Sequence, residues 1–271
     1  SFSIMLVTLP AVTICAGNDA SGKQKKEKTE ASDLGVKPIT GTWINLAYKD
    51  VRNKYTNPQS FDNTDPELWK AKVRELSAMG IEYLVFMEVA NEGKAYYPSK
   101  LMPWWYDKDK QSPVESILDE AARHNMRIFM STGWAKDQDD NLLDPAIKQR
   151  QLQMMEELAA LYKNHKAFYG WYLPVEDCLC PIFAEHAVQS ANALTEKAKA
   201  LTPGKKTLIS PYGIGLSEFD NPEYEKQLAK LKVDIIAYQD EVGCVRDKFM
   251  LPRLKKTWQR LRDIHNRLNI E

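Results

Sequence analysis

The chain has 271 residues, of which 44% are hydrophobic and 27% are charged, a composition typical of a globular protein with one large core. Lys and Arg number 37, as do Asp and Glu, so the formal net charge is zero. A protein that mainly binds nucleic acid needs a basic surplus to neutralise phosphates, so no nucleic-acid partner is expected.

The N-terminal segment indicates export. Residues 4–14 form an apolar run that is too short to cross a bilayer as a helix and matches the hydrophobic region of a signal peptide. Cys15 and a polar, lysine-rich stretch follow, an order that resembles a bacterial lipoprotein signal. We expect a signal-peptide remnant at residues 1–15 and a flexible tether at residues 16–36. Membrane attachment through lipidated Cys15 and ordinary cleavage near Ala16 both remain open, and either gives a periplasmic or cell-surface protein.

Residues 37–271 are predicted to form one domain in which short apolar strands alternate with helices. The apolar runs do not alternate strictly with polar residues, which is typical of strands buried on both faces of a parallel sheet. The predicted strands are residues 39–46, 81–89, 127–132, 168–175, 206–211 and 233–239.

Local signals predict where the helices between these strands begin. Asp65, Ser112 and Asp144 each stand before a proline, so a capping residue precedes a proline at the first helical position. Glu115 completes a capping box with Ser112. Apolar stripes predict further helices at residues 181–201, 222–231 and 248–268.

Six strand–helix units in succession predict an α/β fold, and we expect a (β/α)8 TIM-type barrel. No glycine-rich phosphate-binding motif and no Walker lysine follows a strand, so a nucleotide site lacks its usual backbone signal. A standard barrel has eight units. We therefore expect the chain to be truncated after its sixth unit; closure with six units is the alternative.

The catalytic candidates come from the carboxyl ends of the strands, where α/β barrels place their chemistry. Glu176 follows the fourth predicted strand, and a carboxylate there is unfavourable unless it is paired or used. Its alternative role is capping the next helix, for which Asp177 is at least as well suited. Asp240 and Glu241 follow the sixth strand, and Asp240 ranks first because strand parity places it on the same side as Tyr238.

Aromatic and polar side chains collect at the same strand ends. Aromatic rings stack on the C–H faces of sugars, and carboxylates accept hydrogen bonds from hydroxyls. The candidate substrate-binding residues are Trp43, Asn45, Glu88, Trp104, Trp105, Trp134, Tyr172, Tyr212 and Tyr238. Packing inside the barrel explains Trp43 and Trp171 equally well, and a buried salt bridge explains Glu88 equally well.

The sequence indicates no metal site and no cofactor. The histidines are predicted to lie on helices or at helix ends rather than at strand ends: His124, His165, His186 and His265. Cys178 and Cys180, with His186 downstream, fit no strong zinc pattern. We expect a free loop thiol, or a bridge from Cys178 or Cys180 to Cys244.

Three segments, Gly-Thr-Trp-Ile-Asn at 41–45, Gly-Trp-Tyr-Leu-Pro-Val-Glu at 170–176 and Tyr-Gln-Asp-Glu-Val-Gly at 238–243, together resemble a bacterial barrel family. It is catalogued as domain of unknown function 4434 and is regarded as glycoside-hydrolase-like. The resemblance extends from about Lys37 to the end of the chain. It implies a wider analogy to retaining glycosidases, in which Glu176 matches the acid/base carboxylate. Val175 stands where those enzymes usually have Asn, and a seventh-strand nucleophile would lie beyond Glu271.

Two functions remain open. The first is an exported glycoside hydrolase with Glu176 as proton donor, assisted by Asp240 or Glu241. The second is a non-catalytic carbohydrate-binding barrel lipoprotein, since a stacking platform without a matched carboxylate pair would have a similar sequence. The separation of the carboxyl groups discriminates between them, because about 5–5.5 Å or 6.5–9.5 Å suits the two glycosidase mechanisms. The sequence leaves the oligomeric state open.

Overall fold

The computed structural model describes residues 38–46, 63–133, 143–239 and 250–270. Eight strands are present in these residues: β1 Gly41–Asn45, β2 Tyr83–Glu88, β3 Ala90–Asn91, β4 Lys94–Ala95, β5 Arg127–Met130, β6 Phe168–Tyr172, β7 Lys206–Ile209 and β8 Ile235–Ile236. Six of them form one parallel sheet in the order β1-β2-β5-β6-β7-β8. The other two, β3 and β4, form a short antiparallel hairpin directly after β2.

A helix follows each strand of the sheet: α1 Pro66–Ala78, α2 Pro113–Arg123, α3 Pro145–Tyr162, α4 Glu185–Leu201, α5 Pro222–Lys230 and α6 Met250–Leu268. The predicted start signals of the first three are confirmed. Asp65 and Asp144 accept hydrogen bonds from the first turns of α1 and α3, and Ser112 and Glu115 form a capping box on α2. None of the helices in the described ranges is long and apolar enough to cross a membrane.

The prediction for α4 is wrong at its start. The helix begins at Glu185 instead of residue 181, and its N-cap, Ala184, makes no side-chain capping hydrogen bond. The preceding residues are held in a loop, where the Leu179 N–H donates to the Tyr212 carbonyl oxygen at 2.8 Å. Asp177 therefore caps no helix, and the capping explanation for Glu176 and Asp177 does not apply.

The sheet separates two apolar clusters. The larger cluster lies between the sheet and the helices and includes Ile44, Leu46 and Trp171. The smaller cluster, which we call the inner cluster, covers the opposite, inner face of the sheet: Val85, Met87, Phe129, Tyr172 and Leu208, with Trp43, Tyr83, Tyr169, Ile235 and Ala237 packed against it. Cα atoms of β2 and β6 lie within 8 Å of each other although β5 is between them, so the sheet is curled. The described residues thus form a half-barrel with β1 and β8 at its edges.

One carboxylate ties the long loop before α2 to helix α3. Glu157 accepts hydrogen bonds from the Tyr97 hydroxyl at 3.0 Å, the Ser99 hydroxyl at 2.6 Å and the Lys100 N–H at 2.6 Å. Tyr97 and Ser99 are buried, so these donors have little access to water. Glu157 therefore holds in place the loop that follows β2.

We expect Glu157→Ala to lower the free energy of unfolding by about 2–4 kcal/mol, because three donors lose one charged acceptor. Urea denaturation of the purified variant measures this. Glu156→Ala is the matched control, since Glu156 is the adjacent residue but is exposed and paired only with the Lys197 ammonium among its described contacts. The control should stay within about 0.5 kcal/mol of wild type. Equal losses in both variants would contradict the assignment.

Candidate functional site

Glu176 lies in the loop that follows β6, at the carboxyl edge of the sheet. The Tyr172 hydroxyl, at the end of β6, donates a hydrogen bond to Glu176 Oε1 at 2.6 Å. Tyr172 belongs to the inner cluster and is only 1% exposed, whereas Glu176 is partly buried. The buried tyrosine therefore orients a carboxyl group that is still reachable from solvent.

Burial raises the pKa of the Glu176 carboxyl, and the hydrogen bond from Tyr172 only partly opposes this effect. Burial also raises the pKa of Tyr172 far above its usual value, and the charges of Glu176 and Glu88 add to the shift. Tyr172 is consequently a protonated donor at any working pH. Glu176, in turn, keeps its proton to a higher pH than an ordinary glutamate.

Trp43 and Asn45 approach this pair from β1. The Trp43 ring meets the Tyr172 ring edge-on, with 6.2 Å between the ring centroids. Asn45 shares the inner face with Trp43, because Ile44 and Leu46 on either side of it belong to the helix-facing cluster. Its Oδ1 atom is buried and has no hydrogen-bond partner within the described part of the chain. This acceptor is suited to a donor from a bound hydroxyl.

Glu88, the last residue of β2, lies deeper than Glu176. It is 1% exposed, and its charge raises the pKa of both Tyr172 and Tyr96, so it lies near both rings. Gly133, three residues after the end of β5, packs directly on Glu88. A Cβ on Gly133 would lie 2.3 Å from the Glu88 Cβ. Glu88 is therefore buried in the neighbourhood of Tyr172 and Tyr96 rather than exposed at the surface of the site.

Tyr212 presents an exposed ring beside the loop that carries Glu176. Tyr212 is 37% exposed, and it is the aromatic residue among the exposed large hydrophobic residues of the described chain. Its N–H donates to the Asp177 carbonyl oxygen at 3.1 Å, and its carbonyl oxygen accepts from the Leu179 N–H at 2.8 Å. Tyr212 and Glu176 are thus held on paired segments.

Trp104 and Trp105 lie in the loop between β4 and α2, where their rings are partly buried. Trp104 stacks on Tyr106 with centroids 5.2 Å apart, and its indole N–H donates to the Ser99 carbonyl oxygen. Trp105 stacks on Tyr96 at 6.1 Å. These contacts hold the two tryptophans in the loop before α2, against Tyr96, Ser99 and Tyr106.

Tyr238 faces the helices rather than the inner face. Its hydroxyl lies 2.8 Å from both the Tyr224 hydroxyl and His265 Nε2, and its ring packs against Trp258. The structure therefore separates Tyr238 from Glu176. Three further predicted site residues lie outside the described residues: Trp134, Asp240 and Glu241.

Cys178 and Cys180 form a disulfide with each other. The expectation that Cys178 and Cys180 hold a free thiol, or that one of them is bridged to Cys244, is wrong, and Cys244 itself lies outside the described residues. A single intervening residue leaves the two Cα atoms 5.3 Å apart, within the range that a disulfide spans. Among the described residues, no group of three or more His, Cys, Asp or Glu side chains could hold a metal ion.

A family model described as "Domain of unknown function (DUF4434)" matches residues 39–269. No curated protein matches the sequence. The structure is similar to a "putative alpha-L-fucosidase" from Bacteroides thetaiotaomicron, with a TM-score of 0.61 and 17% identity over 86% of this chain and 71% of that chain. At this identity the similarity shows the fold alone, an α/β fold whose curled six-stranded parallel sheet matches part of a TIM-type barrel.

Two sugar complexes are more distant. An intracellular xylanase of Thermoanaerobacterium saccharolyticum with xylotriose gives a TM-score of 0.47 and 16% identity, over 76% of this chain and 69% of that one. A family 5 glycoside hydrolase of Streptomyces cattleya with a Man-β1-4-GlcNAc ligand gives 0.44 and 14%, over 65% and 46%. This chain spans less than half of the latter protein.

Proposed function

The chain belongs to the family described as domain of unknown function (DUF4434), and we propose that it is a glycoside hydrolase in which Glu176 is the proton donor. The observation that carries the proposal is the environment of Glu176. Burial raises the pKa of its carboxyl group at the carboxyl edge of a half-barrel, and the Tyr172 hydroxyl fixes its orientation. A general acid needs this combination of a retained proton and a fixed direction.

In the proposed reaction the Glu176 carboxyl group transfers its proton to the glycosidic oxygen as the bond to the sugar breaks. Positive charge develops on the sugar ring, and a second carboxylate either attacks the ring carbon or removes a proton from an attacking water. Glu176 leaves this step as a carboxylate. The hydrogen bond from Tyr172 then stabilises the negative charge that remains on Glu176.

For the second carboxylate we propose Asp240 or Glu241 and rank neither first, because the parity that favoured Asp240 also groups it with Tyr238, which faces the helices. Both follow β8, whose partner β7 pairs with β6, and the carboxyl ends of parallel strands meet at one edge of the sheet. The Gln239 N–H donates to the Pro211 carbonyl oxygen at 2.9 Å, so the chain stays paired up to the residue before Asp240. This pairing supports a position for the Asp240–Glu241 segment at the same edge of the sheet as the Glu176 loop.

Carbohydrate is the proposed ligand class. Aromatic surface comes from Trp43, which packs against Tyr172, and from the exposed Tyr212, whose backbone pairs with the Glu176 loop. The buried Asn45 Oδ1 offers an acceptor for a hydroxyl donor. A sugar ring presents both complements, apolar C–H faces and hydroxyl groups. The structure is similar to that of a protein described as a "putative alpha-L-fucosidase". This similarity supports the proposal that the fold can bind such a ligand.

We also propose that the protein is exported. The disulfide between Cys178 and Cys180 supports this location, because disulfides persist mainly in oxidising compartments outside the cytoplasm. The apolar run before Cys15 points the same way. Lipidation of Cys15 is a separate proposal, which mass spectrometry of the protein from bacterial membranes would test.

The experiment is a panel of aryl glycosides and a glycan array, both applied to the whole mature protein. We expect turnover of at least one glycoside and binding of the matching glycan. Binding without turnover of any glycoside would favour the non-catalytic carbohydrate-binding function. Neither turnover nor binding across a broad panel would reject carbohydrate as the ligand class.

We expect Tyr172→Phe to lower kcat by about tenfold and to move the alkaline limb of the pH–rate profile to higher pH. The Tyr172 hydroxyl lowers the pKa of Glu176, so its removal leaves the desolvation effect unopposed. Because Tyr172 is 1% exposed, KM should change little.

Tyr169→Phe is the matched control, since Tyr169 lies on the same strand and also packs against the inner cluster. Its pH profile should equal that of wild type. A Tyr172→Phe variant with a changed KM and an unchanged pH profile would make Tyr172 a substrate-binding residue instead of a positioning residue.

A further inference from the structure

The Cys178–Cys180 disulfide closes a ring around one residue, Leu179, only two residues after Glu176. A disulfide stabilises a fold mainly by restricting the unfolded chain, and this effect grows with the length of the loop that it closes. A ring this short restricts the unfolded chain very little. The effect of the bond is therefore local, on the segment between β6 and α4.

That segment is tied to the β7 loop through backbone hydrogen bonds on both sides of Cys178. Cys178 pairs with Tyr212 in an isolated bridge. The Tyr212 N–H donates to Asp177, and the Leu179 N–H donates to Tyr212, at 3.1 and 2.8 Å. The Ser217 hydroxyl also donates to the Leu179 carbonyl oxygen. The disulfide-closed ring thus sets the position of Tyr212, an exposed residue, relative to the Glu176 loop.

The two sulfur atoms also pack directly on the β7 loop. A Cβ on Gly213 would lie 2.7 Å from Cys180 Sγ and 2.8 Å from Cys178 Sγ, so the disulfide occupies the space that a side chain would need. Gly213 has a φ of +83°, which favours glycine. Two separate thiols would lack the fixed sulfur–sulfur distance on which this contact depends.

We propose that the Cys178–Cys180 disulfide is a redox-sensitive positioning element of the Glu176 site, a role that rests on the proposed glycosidase function. The bonded form holds Glu176 and Tyr212 in their working arrangement. A small dithiol reductant can reach it, because Cys180 is exposed and Cys178 is partly exposed. Reduction breaks the S–S bond, each cysteine sulfur gains one electron and one proton, and the dithiol becomes a cyclic disulfide.

We expect dithiothreitol to lower kcat/KM by roughly 10- to 100-fold, because loss of alignment of about 1 Å is enough for such a change. Reoxidation should restore the activity. The alkaline limb of the pH–rate profile should move to lower pH on reduction, since a released Glu176 is better solvated and its pKa falls towards the ordinary value. A purely structural disulfide would leave that limb in place.

A Cys178→Ser/Cys180→Ser variant should behave like the reduced wild type and should not respond to dithiothreitol. Cys244→Ser is the control, and it should keep the full response of the wild type. Hydrogen exchange gives a readout that needs no substrate: we expect the Leu179 and Tyr212 amides to exchange at least about tenfold faster after reduction.

The two proposals fail in different ways. An oxidised wild-type protein that turns over no glycoside overturns the glycosidase function, while accelerated exchange at Leu179 and Tyr212 would still support the positioning role. Unchanged exchange on reduction overturns the positioning role. A serine double variant with wild-type kcat/KM and an unmoved alkaline limb overturns it as well.

Discussion

Glu176→Gln will lower kcat on an unactivated glycoside by about 10²- to 10⁴-fold while sugar binding persists. Glutamine has nearly the same shape as glutamate, and its side-chain oxygen can still accept the hydrogen bond from the Tyr172 hydroxyl. The glutamine amide cannot transfer a proton to the leaving group. The variant thus removes the acid chemistry and leaves the surrounding contacts in place.

The dependence of the loss on the substrate distinguishes an acid from a residue that only binds. A nitrophenyl leaving group needs little protonation, so Glu176→Gln should affect such a substrate far less than an alkyl glycoside or an oligosaccharide. An equal loss of kcat/KM on all substrates that arises from a higher KM would make Glu176 a binding residue instead.

The pH profile gives a second check with a defined sign. A general acid must be protonated, so wild-type activity should be lost as the pH rises through the raised pKa of Glu176. This alkaline limb should be absent from the residual activity of the glutamine variant. Glu185→Gln is the matched control, because Glu185 opens α4 and is exposed to solvent, and it should retain both the rate and the limb. Full activity in Glu176→Gln would end the assignment.

The order of strands and helices could be predicted from the sequence because its signals are local. Prolines after capping residues marked the starts of α1, α2 and α3, and apolar runs marked all six strands of the sheet. The predicted strands were too long, because the point at which a strand ends depends on pairing with residues that are distant in the sequence. Before β8, the Asp234 carboxylate accepts from both the N–H and the hydroxyl of Thr207, and the Asp234 N–H donates to the Thr207 carbonyl oxygen at 3.2 Å, a mixed pairing that apolar runs do not reveal.

The site was predictable only in part. Glu176 stood out because a carboxylate after an apolar strand is unfavourable without a role. The hydrogen bond from Tyr172 was not predictable, because these residues meet through the irregular chain after β6. The direction of Tyr238 depends on which face of the sheet is covered by helices. Ile236 and Tyr238 both face the helices, while Ala237 faces the inner cluster, and alternation by itself does not say which face is which.

Gly133→Ala will lower the free energy of unfolding by about 3–5 kcal/mol, the largest stability effect that we expect from a single methyl group. The added Cβ would lie 2.3 Å from the Glu88 Cβ and 2.9 Å from the Ala90 carbonyl oxygen, far inside van der Waals contact. Gly133 also has a φ of +68°, which an alanine adopts only with strain. The loop after β5 and the end of β2 would both have to move, and Glu88 with them.

Gly204→Ala separates the two causes of this loss. Gly204 has a similar φ of +84°, but a Cβ there would have nothing within 4 Å, so only the backbone strain remains. We expect this control to lose about 1 kcal/mol in the same urea titration. The difference between the two variants measures the contact between Gly133 and Glu88. If both variants lost the same amount, the close contact between Gly133 and Glu88 would be contradicted.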